Sequence, residues 1–364
     1  MKKLIESLVA VALVLSFIGN ALGVVQYTVT DLNTLGGTRS LAFDINNSGQ
    51  VVGYADTNSG DSHAFLYSSG IMKDLGTLGG ATSEAYGINN NGQVVGYAKT
   101  NNNYNHAFLY SGTGPMQDIG PVGVKYSYAY DINDNGLVVE YAIPSSSSIY
   151  FHALLYSGNG PTQDLGTLPG GELSDASGIN NSGQVVGGSN YLNRGEDHAF
   201  LYSGGTMRDL GTFGGLTSEA YGINNNGQVV GCAYLANDNT YHAFLYNGVT
   251  KNDLGTLGGT NSNALDINDS GQVVGTSDGS AFLWQSDGGM QNLNNLKAAG
   301  SDLMLVQATA INDNGQIVGY GTNTSGQIHA FLLTPIPEPS TLALLSMGAI
   351  SLLAYTWRRR KSGT

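Results

Sequence analysis

All six histidines of this 364-residue chain occupy one recurring slot: His63, His106, His152, His198, His242 and His329, with Ser280 in a seventh. Imidazoles in such numbers raise the question of zinc. One residue per repeat, however, is spread around an array, whereas ligands must converge on one ion at about 2.0–2.1 Å. The slot therefore reads as a capping or inter-strand hydrogen bond. The same logic makes Asp31, Asp74, Asp118, Asp164, Asp209 and Asp253 turn-binding carboxylates. Three stretches open like calcium loops, with Asp-x-Asn-x-(Ser/Asn)-Gly from Asp44, Asp131 and Asp266. The best candidate ligand set is Asp131, Asn133 and Asn135, but Ala142 stands where the closing glutamate belongs. Asn/Gly hairpin chemistry accounts for all of these turns, so the expectation is no metal and no cofactor.

Positions that break the repeat are the better candidates for ligand chemistry. Glu140 stands where the other units carry Gly53, Gly96, Gly187, Gly231, Gly275 and Gly319. Tyr104, Tyr150 (beside Phe151), and the group Arg194, Glu196 and Asp197 fall in the most variable loops. Glu140, Tyr104, Tyr150, Arg194, Glu196 and Asp197 are thus the expected ligand-binding residues. No nucleophile elbow, zinc spacing, phosphate loop or dinucleotide fingerprint is present. Carboxylates are plentiful enough for a glycosidase pair, but the sequence singles none out.

The elements that position these residues follow from a seven-fold repeat. Ile-Asn-(Asn/Asp) begins at Ile45, Ile88, Ile132, Ile179, Ile223, Ile267 and Ile311, a period of about 44 residues that points to a β-propeller or solenoid. Within each unit an apolar run enters this motif, an Asn/Gly turn follows, and then a Gly-Gln-Val-Val-Gly run. A polar loop leads to His-Ala-Phe-Leu-Tyr, and a glycine turn leads to Asp-Leu-Gly-Thr-Leu-Gly-Gly. Four short runs at this spacing are four antiparallel strands, a to d, of one blade. The last unit lacks strand d, while the chain opens with an orphan d in Tyr27–Gly37. The N-terminal strand is therefore expected to complete the last blade and remove exposed edges. The predicted fold is all-β: a closed seven-bladed β-propeller of four-stranded blades over residues 24–334.

Composition agrees. Only 11% of residues are charged, against ~25% in ordinary soluble domains, which argues against exposed helical faces. Fifty-three glycines and only 8 prolines fit a turn-rich β protein without a collagen repeat. A single cysteine, Cys232, excludes an intrachain disulfide. Apart from the ends, 8 basic residues face 25 acidic ones, a balance that repels phosphate backbones and excludes nucleic acid as an expected partner.

The two ends carry address signals. Residues 1–23 read as a signal peptide: Lys2 and Lys3, the apolar run Leu8 to Ile18, then Ala21-Leu22-Gly23 for signal peptidase. At the other end Thr341 to Trp357 is uncharged and long enough for a short transmembrane helix, followed by Arg358, Arg359, Arg360 and Lys361. The basic cluster stays cytoplasmic by the positive-inside rule, so the body lies outside that membrane. Pro337-Glu338-Pro339 precedes the helix. Residues 335–364 resemble the PEP-CTERM sorting signal, with Pro337, Glu338, Pro339, Arg358, Arg359 and Arg360 as its marks. That resemblance implies processing by an exosortase, transient residence in the inner membrane, and bacteria that make exopolysaccharide and biofilm. The body resembles the HAF repeat, an extracellular bacterial family named for His-Ala-Phe. The tripeptide stands at His63, His106, His198, His242 and His329; His152-Ala153-Leu154 and Ser280-Ala281-Phe282 depart from it. Together these imply an exported, cell-surface or matrix protein that serves as a non-catalytic binding or structural module, with polysaccharide as a partner. The alternative is an extracellular carbohydrate-active hydrolase or lyase with its site at the channel mouth.

Overall fold

Each repeat folds as the alternation of its apolar residues and its Asn/Gly turns require. In the computed structural model, residues 25–144, 151–158, 162–191, 196–236 and 239–337 are described. They hold 28 strands, β1 (Tyr27–Asp31) through β28 (Ile328–Pro335), in seven four-stranded sheets. Among the described residues the one helical element is a 3-10 turn, Leu293–Asn295. The chain divides into two units, Val29–Thr334 and the terminal stretches Met1–Thr28 with Pro335–Thr364. The expected signal peptide and the span Thr341 to Trp357 lie outside the described residues; among those described, no helix is long and apolar enough to cross a membrane.

Blade 1 is β2 to β5: Gly36–Ile45, Val51–Thr57, Ser62–Ser68 and Ile71–Asp74. Blades 2 to 6 repeat the order, and β1 joins the outer edge of the last sheet in the order β1-β28-β27-β26. The expected closure is therefore what the chain does. The Leu32 N–H donates to the Ala330 carbonyl at 2.9 Å, and His329 Nδ1 meets Asp31 Oδ2 at 2.8 Å.

Between blades the core is built of valine, alanine and aromatic side chains. Val51, Val52, Ala64 and Phe65 in blade 1, and their counterparts around the ring apart from the half-buried Leu154 of blade 3, are fully buried. Strands a and b share one irregularity. Register skips a residue between Ala42 and Asp44, and again at the same place in the other six blades. The skipped residues are Phe43, Tyr86, Tyr130, Ser177, Tyr221, Leu265 and Thr309, so this bulge re-aims one side chain per blade. It also brings strand a against strand b: a Cβ on Gly53 would stand 1.9 Å from the Leu41 carbonyl oxygen. The repeated glycine is a steric requirement.

Blade 3 breaks that rule. In six blades the glycine of strand b lies opposite a buried phenylalanine of strand c, as in Gly53↔Phe65 and Gly319↔Phe331. In blade 3 the pair is Glu140↔Leu154. A Cβ at Gly319 or Gly275 would lie 2.9 Å from the ring of Phe331 or Phe282. The bulk that phenylalanine supplies elsewhere is thus divided between a longer residue on strand b and a shorter one on strand c.

Candidate functional site

The repeated motifs resolve into structural hardware. All six histidines pair through Nδ1 with the aspartate of strand d: His63–Asp74, His106–Asp118, His152–Asp164, His198–Asp209, His242–Asp253 and His329–Asp31, at 2.7–2.9 Å. Five of these aspartates also accept the N–H of a following glycine, as Asp74 does from Gly76 at 2.7 Å. Asp31 accepts from Asn33 instead.

The Ile-Asn-(Asn/Asp) motif forms two closed rings of hydrogen bonds around the channel. In the inner ring each buried asparagine donates Nδ2 to the carbonyl of its counterpart in the next blade, from Asn46 to Asn89 at 3.1 Å and finally from Asn312 back to Asn46 at 3.0 Å. Its Oδ1 caps its own hairpin, as Asn180 does for the Ser182 and Gln184 N–H groups. In the outer ring the backbone N–H of the next residue donates to the side chain of its counterpart, from Asn47 to Asn90 and finally from Asp313 to Asn47. Asp44, Asp131 and Asp266 add clips: each accepts the N–H of its own isoleucine and that of the next blade, Asp44 from Ile45 and Ile88 at 2.7 Å each. These turns surround a cavity of about 160 Å³ at this end of the channel. Burial raises Asp44, Asp131 and Asp266 to about 6, 8 and 7, and the charge of Asp44 adds to the rise at Asp131 and Asp266. The calcium candidates Asp131, Asn133 and Asn135 are all spent here: Asn133 Oδ1 accepts from Asn135 and Leu137, and Asn135 donates to the Asn181 carbonyl. Among the described residues no group of three or more His, Cys, Asp or Glu side chains is arranged to hold a metal.

Away from these turns, toward the b–c loops, the ring is not symmetric. Blades 1 to 3 carry aromatic side chains at the bulge (Phe43, Tyr86, Tyr130) and on strand b (Tyr54, Tyr97, Tyr141), half-buried and in contact. Ring centroids lie 5.3 Å apart for Phe43–Tyr86 and Tyr86–Tyr130, 5.9 Å for Tyr86–Tyr97 and 5.9 Å for Tyr130–Tyr141. Blades 4 and 5 have Ser177 with Gly188 and Tyr221 with Cys232 in the same columns. Beside the arc lie three carboxylates, Asp175 and Asp197 of blade 4 and Glu219 of blade 5. Burial, then the charge of Asp197, raises Asp175 to about 6; burial, then Asp175 and Asp197, raises Glu219 well above the usual range. Burial first, with Asp175 as a lesser cause, raises Tyr130 and Tyr141.

An internal comparison shows what is unusual about Glu219. The heptapeptide Thr-Ser-Glu-Ala-Tyr-Gly-Ile occurs at residues 82–88 and again at 217–223. In the first copy Glu84 accepts two phenol hydrogen bonds, from Tyr86 at 2.9 Å and Tyr97 at 2.8 Å. In the second, Cys232 replaces Tyr97 and the Tyr221 hydroxyl lies 4.0 Å from Cys232 Sγ. Glu219 instead extends over Gly188, its oxygens 2.4 and 2.6 Å from where a Cβ would stand. Gly188 is blade 4's counterpart of Tyr54, Tyr97 and Tyr141, so the carboxylate fills space left by a missing tyrosine. Nearby, Asn263 Oδ1 is buried without a partner.

The residues expected from sequence to bind a ligand are scattered. Asp197 joins Asp175 and Glu219; Glu196 precedes it, paired with Tyr191 across the hairpin. Tyr104 forms a separate edge-to-face pair with Tyr126 at 5.6 Å, with the Lys125 ammonium 5.8 Å from its ring centroid. Glu140 has no exposed surface and neither carboxylate oxygen has a hydrogen-bond partner. Burial raises it to about 8; Thr162 is close enough to oppose this but not placed to bond. Tyr150, Arg194, Glu338, Pro339 and Arg358 to Arg360 lie outside the described residues. Sequence reasoning missed Asp175 and Glu219. Their signal was the strand-b column in which tyrosine gives way to Gly188 and Cys232.

A closed seven-bladed propeller followed by a sorting tail defines the class of protein. Residues 115–331 match the family described as "Protein of unknown function (DUF3466)", and the chain belongs to that family. Residues 335–361 match the PEP-CTERM protein-sorting motif, which implies exosortase processing, export and membrane-associated sorting. No curated protein matches the chain. Similar solved structures include the β-propeller domain of the Trilobed protease from Pyrococcus furiosus (TM-score 0.54, 8% identity, 86% of this chain and 99% of that one). Another is the acylaminoacyl peptidase from Pyrococcus horikoshii (TM-score 0.52, 9% identity, 88% of this chain and 55% of that one). A third is YCF48 bound to D1 peptide (TM-score 0.51, 12% identity, 86% and 96%). At these identities the likeness shows the fold.

Proposed function

We propose that this is a cell-surface or matrix propeller that works as a non-catalytic binding and structural module, associated with exopolysaccharide or biofilm, its units being HAF repeats. One observation carries the reading. The repeated polar residues are consumed in structure, the His–Asp pairs within each blade and the asparagine rings and aspartate clips between blades, while one set of departures from seven-fold symmetry forms an arc of aromatic side chains with acidic ones beside it. Flat rings and carboxylates are the usual means of holding sugars, by stacking and by accepting hydroxyl hydrogen bonds. The test is a glycan array on the exported protein, with cell fractionation and mass spectrometry of both mature ends. Glycan binding without product release, and loss of the segment after residue 339, support the reading; retention of Thr341 to Thr364 in the mature form refutes the sorting step.

A second reading, an extracellular carbohydrate-active enzyme, draws on Asp175 and Glu219, two neighbouring carboxyls both raised above their ordinary range. Such a pair is what a glycosidase needs when one partner is protonated and the other ionised. Release of new reducing ends from a polysaccharide, abolished by Glu219→Gln, would establish it over the binding-only reading.

A further inference from the structure

We infer that Asn247 is a self-modification site, at which the backbone nitrogen of Gly248 displaces the side-chain amide as ammonia and leaves aspartate or isoaspartate in its place. This goes beyond the binding-module reading and does not depend on it.

Glycine after asparagine leaves the next backbone nitrogen unobstructed by a side chain, so Asn-Gly is the pair at which this ring closure meets least hindrance. The chain has six such pairs, at Asn91, Asn135, Asn159, Asn226, Asn247 and Asn314; Asn159 lies outside the described residues. The five described asparagines are all exposed, so exposure does not separate them. Hydrogen bonds do. In the a–b turns both reacting groups are occupied. Asn91, Asn135, Asn226 and Asn314 each donate Nδ2 to a carbonyl of the next blade at 2.8–2.9 Å. The glycine after each donates its N–H within the turn, as Gly92 does to the Asn89 carbonyl at 3.0 Å and Gly136 to that of Asn133 at 2.9 Å. Asn247 stands instead between strands c and d of blade 5, Tyr241–Tyr246 and Lys251–Asp253. The same turn in blades 1, 2 and 4 holds Ser69-Gly70, Ser111-Gly112 and Gly204-Gly205, with no amide to lose. Among the described residues neither Asn247 Nδ2 nor the Gly248 N–H donates a hydrogen bond. The carbonyl oxygen of the same side chain is well supplied: Asn247 Oδ1 accepts from the N–H groups of Val249 at 3.0 Å and Thr250 at 2.8 Å, and from Thr250 Oγ1 at 3.3 Å.

Those donors surround the atom on which negative charge gathers when the carboxamide carbon is attacked, which is the arrangement of an oxyanion hole. The step balances with water alone. Solvent takes the Gly248 amide proton, and the nitrogen bonds to Asn247 Cγ, closing a succinimide ring with the advantage of an intramolecular attack. The Cγ–Nδ2 bond breaks, and Nδ2 leaves as ammonia with a proton from water. A water molecule then opens the ring at either carbonyl, giving aspartate or isoaspartate and adding one negative charge to the turn.

The test is peptide mapping by mass spectrometry of the full exported protein after timed incubation in mildly alkaline buffer, once native and once unfolded in urea. An isoaspartate-specific methyltransferase counts the rearranged product. In the native protein Asn247 should convert at least about tenfold faster than Asn91, Asn135, Asn226 or Asn314, whose reacting groups come free only by a local opening of about 1.4 kcal/mol or more. In urea the five sites should convert at similar rates, because the Asn-Gly pair is common to all, and Asn247 should be no slower native than unfolded. Isoaspartate should accumulate at Asn247 alongside aspartate, as ring opening at two carbonyls requires. Aspartate alone would mean direct hydrolysis by water and overturns the ring closure. Equal native rates at the five sites, or a native rate at Asn247 below its rate in urea, means that the turn protects the pair and overturns the proposal. Cleavage of the chain after Asn247 in place of ammonia loss overturns it too. Every comparison is made on the wild-type chain, so no variant has to fold.

Discussion

Glu140 of strand b lies directly opposite Leu154 of strand c, the one blade in seven where these positions are not glycine and phenylalanine. The two substitutions compensate in volume and not in polarity, because the carboxyl that replaces ring carbons has no hydrogen-bond partner. Restoring the common pair with Glu140→Gly and Leu154→Phe together should stabilise the protein by about 1–3 kcal/mol, by removing a buried unsatisfied group. Leu154→Phe alone should destabilise by about 1–3 kcal/mol through overpacking. Denaturant unfolding of both single variants and the double variant measures the coupling. Additivity of the two effects would mean that the side chains do not share one space.

Stability should fall as the solution becomes more alkaline. Asp44, Asp131, Asp266 and Glu140 titrate at about 6, 8, 7 and 8 in the folded chain. In the unfolded chain they titrate near 4. Between those values the folded protein keeps protons that the unfolded chain has released, so the native state is favoured at low pH. That advantage is lost progressively from about pH 4 to about pH 8. The melting temperature should therefore be higher at pH 5 than at pH 8, and Glu140→Gln should flatten the profile. A melting temperature that rises over this interval would contradict the raised titrations.

The asparagine rings should be costly to break. Asn180→Ala removes the cap on the Ser182 and Gln184 N–H groups and the 3.0 Å bond to the Asn224 carbonyl. Leaving the buried Asn224 carbonyl and the part-buried N–H groups unpaired should cost about 2–4 kcal/mol. Asn180→Asp keeps the acceptor, loses the donor, and should cost less. By contrast His63→Ala, at a half-exposed surface pair, should cost at most about 1 kcal/mol. Thermal unfolding of the three variants ranks them; a surface pair worth more than a ring asparagine would reverse the assignment of roles.

Cys232 should be chemically silent in the native protein. It is 8% exposed, and burial raises its thiol to about 11. A thiol reagent at pH 8 should label it only after unfolding, and prompt labelling of native protein would show that strands a and b of blade 5 open readily.

The sequence carried the architecture because the architecture is local and repeated. Blade number, strand order and closure by Tyr27–Asp31 follow from a motif that recurs and from one unit that is cut in two. The slots of histidine and aspartate could be assigned to structure because one residue per blade cannot converge with its copies. Relationships between blades could not be read that way. The departures at Glu140 and Leu154 were each visible, but only strand register makes them one event. Asp197 stood out in its loop, whereas Asp175 and Glu219 look like ordinary strand residues until two blades bring them together. The carbonyl that Asn46 reaches lies 43 residues away, so a motif that reads as turn chemistry is also the joint between neighbours.

Closure by the first strand sets an order of events during secretion. A chain threaded N-terminus first delivers β1 outside at once, yet its partner β28 lies at the far end of the body, with Asp31 and His329 separated by 298 residues. The annulus therefore stays open until the seventh unit has emerged, and the sorting motif begins at residue 335, where β28 ends. Completion of the ring and arrival of the sorting motif thus fall at the same moment as the chain emerges.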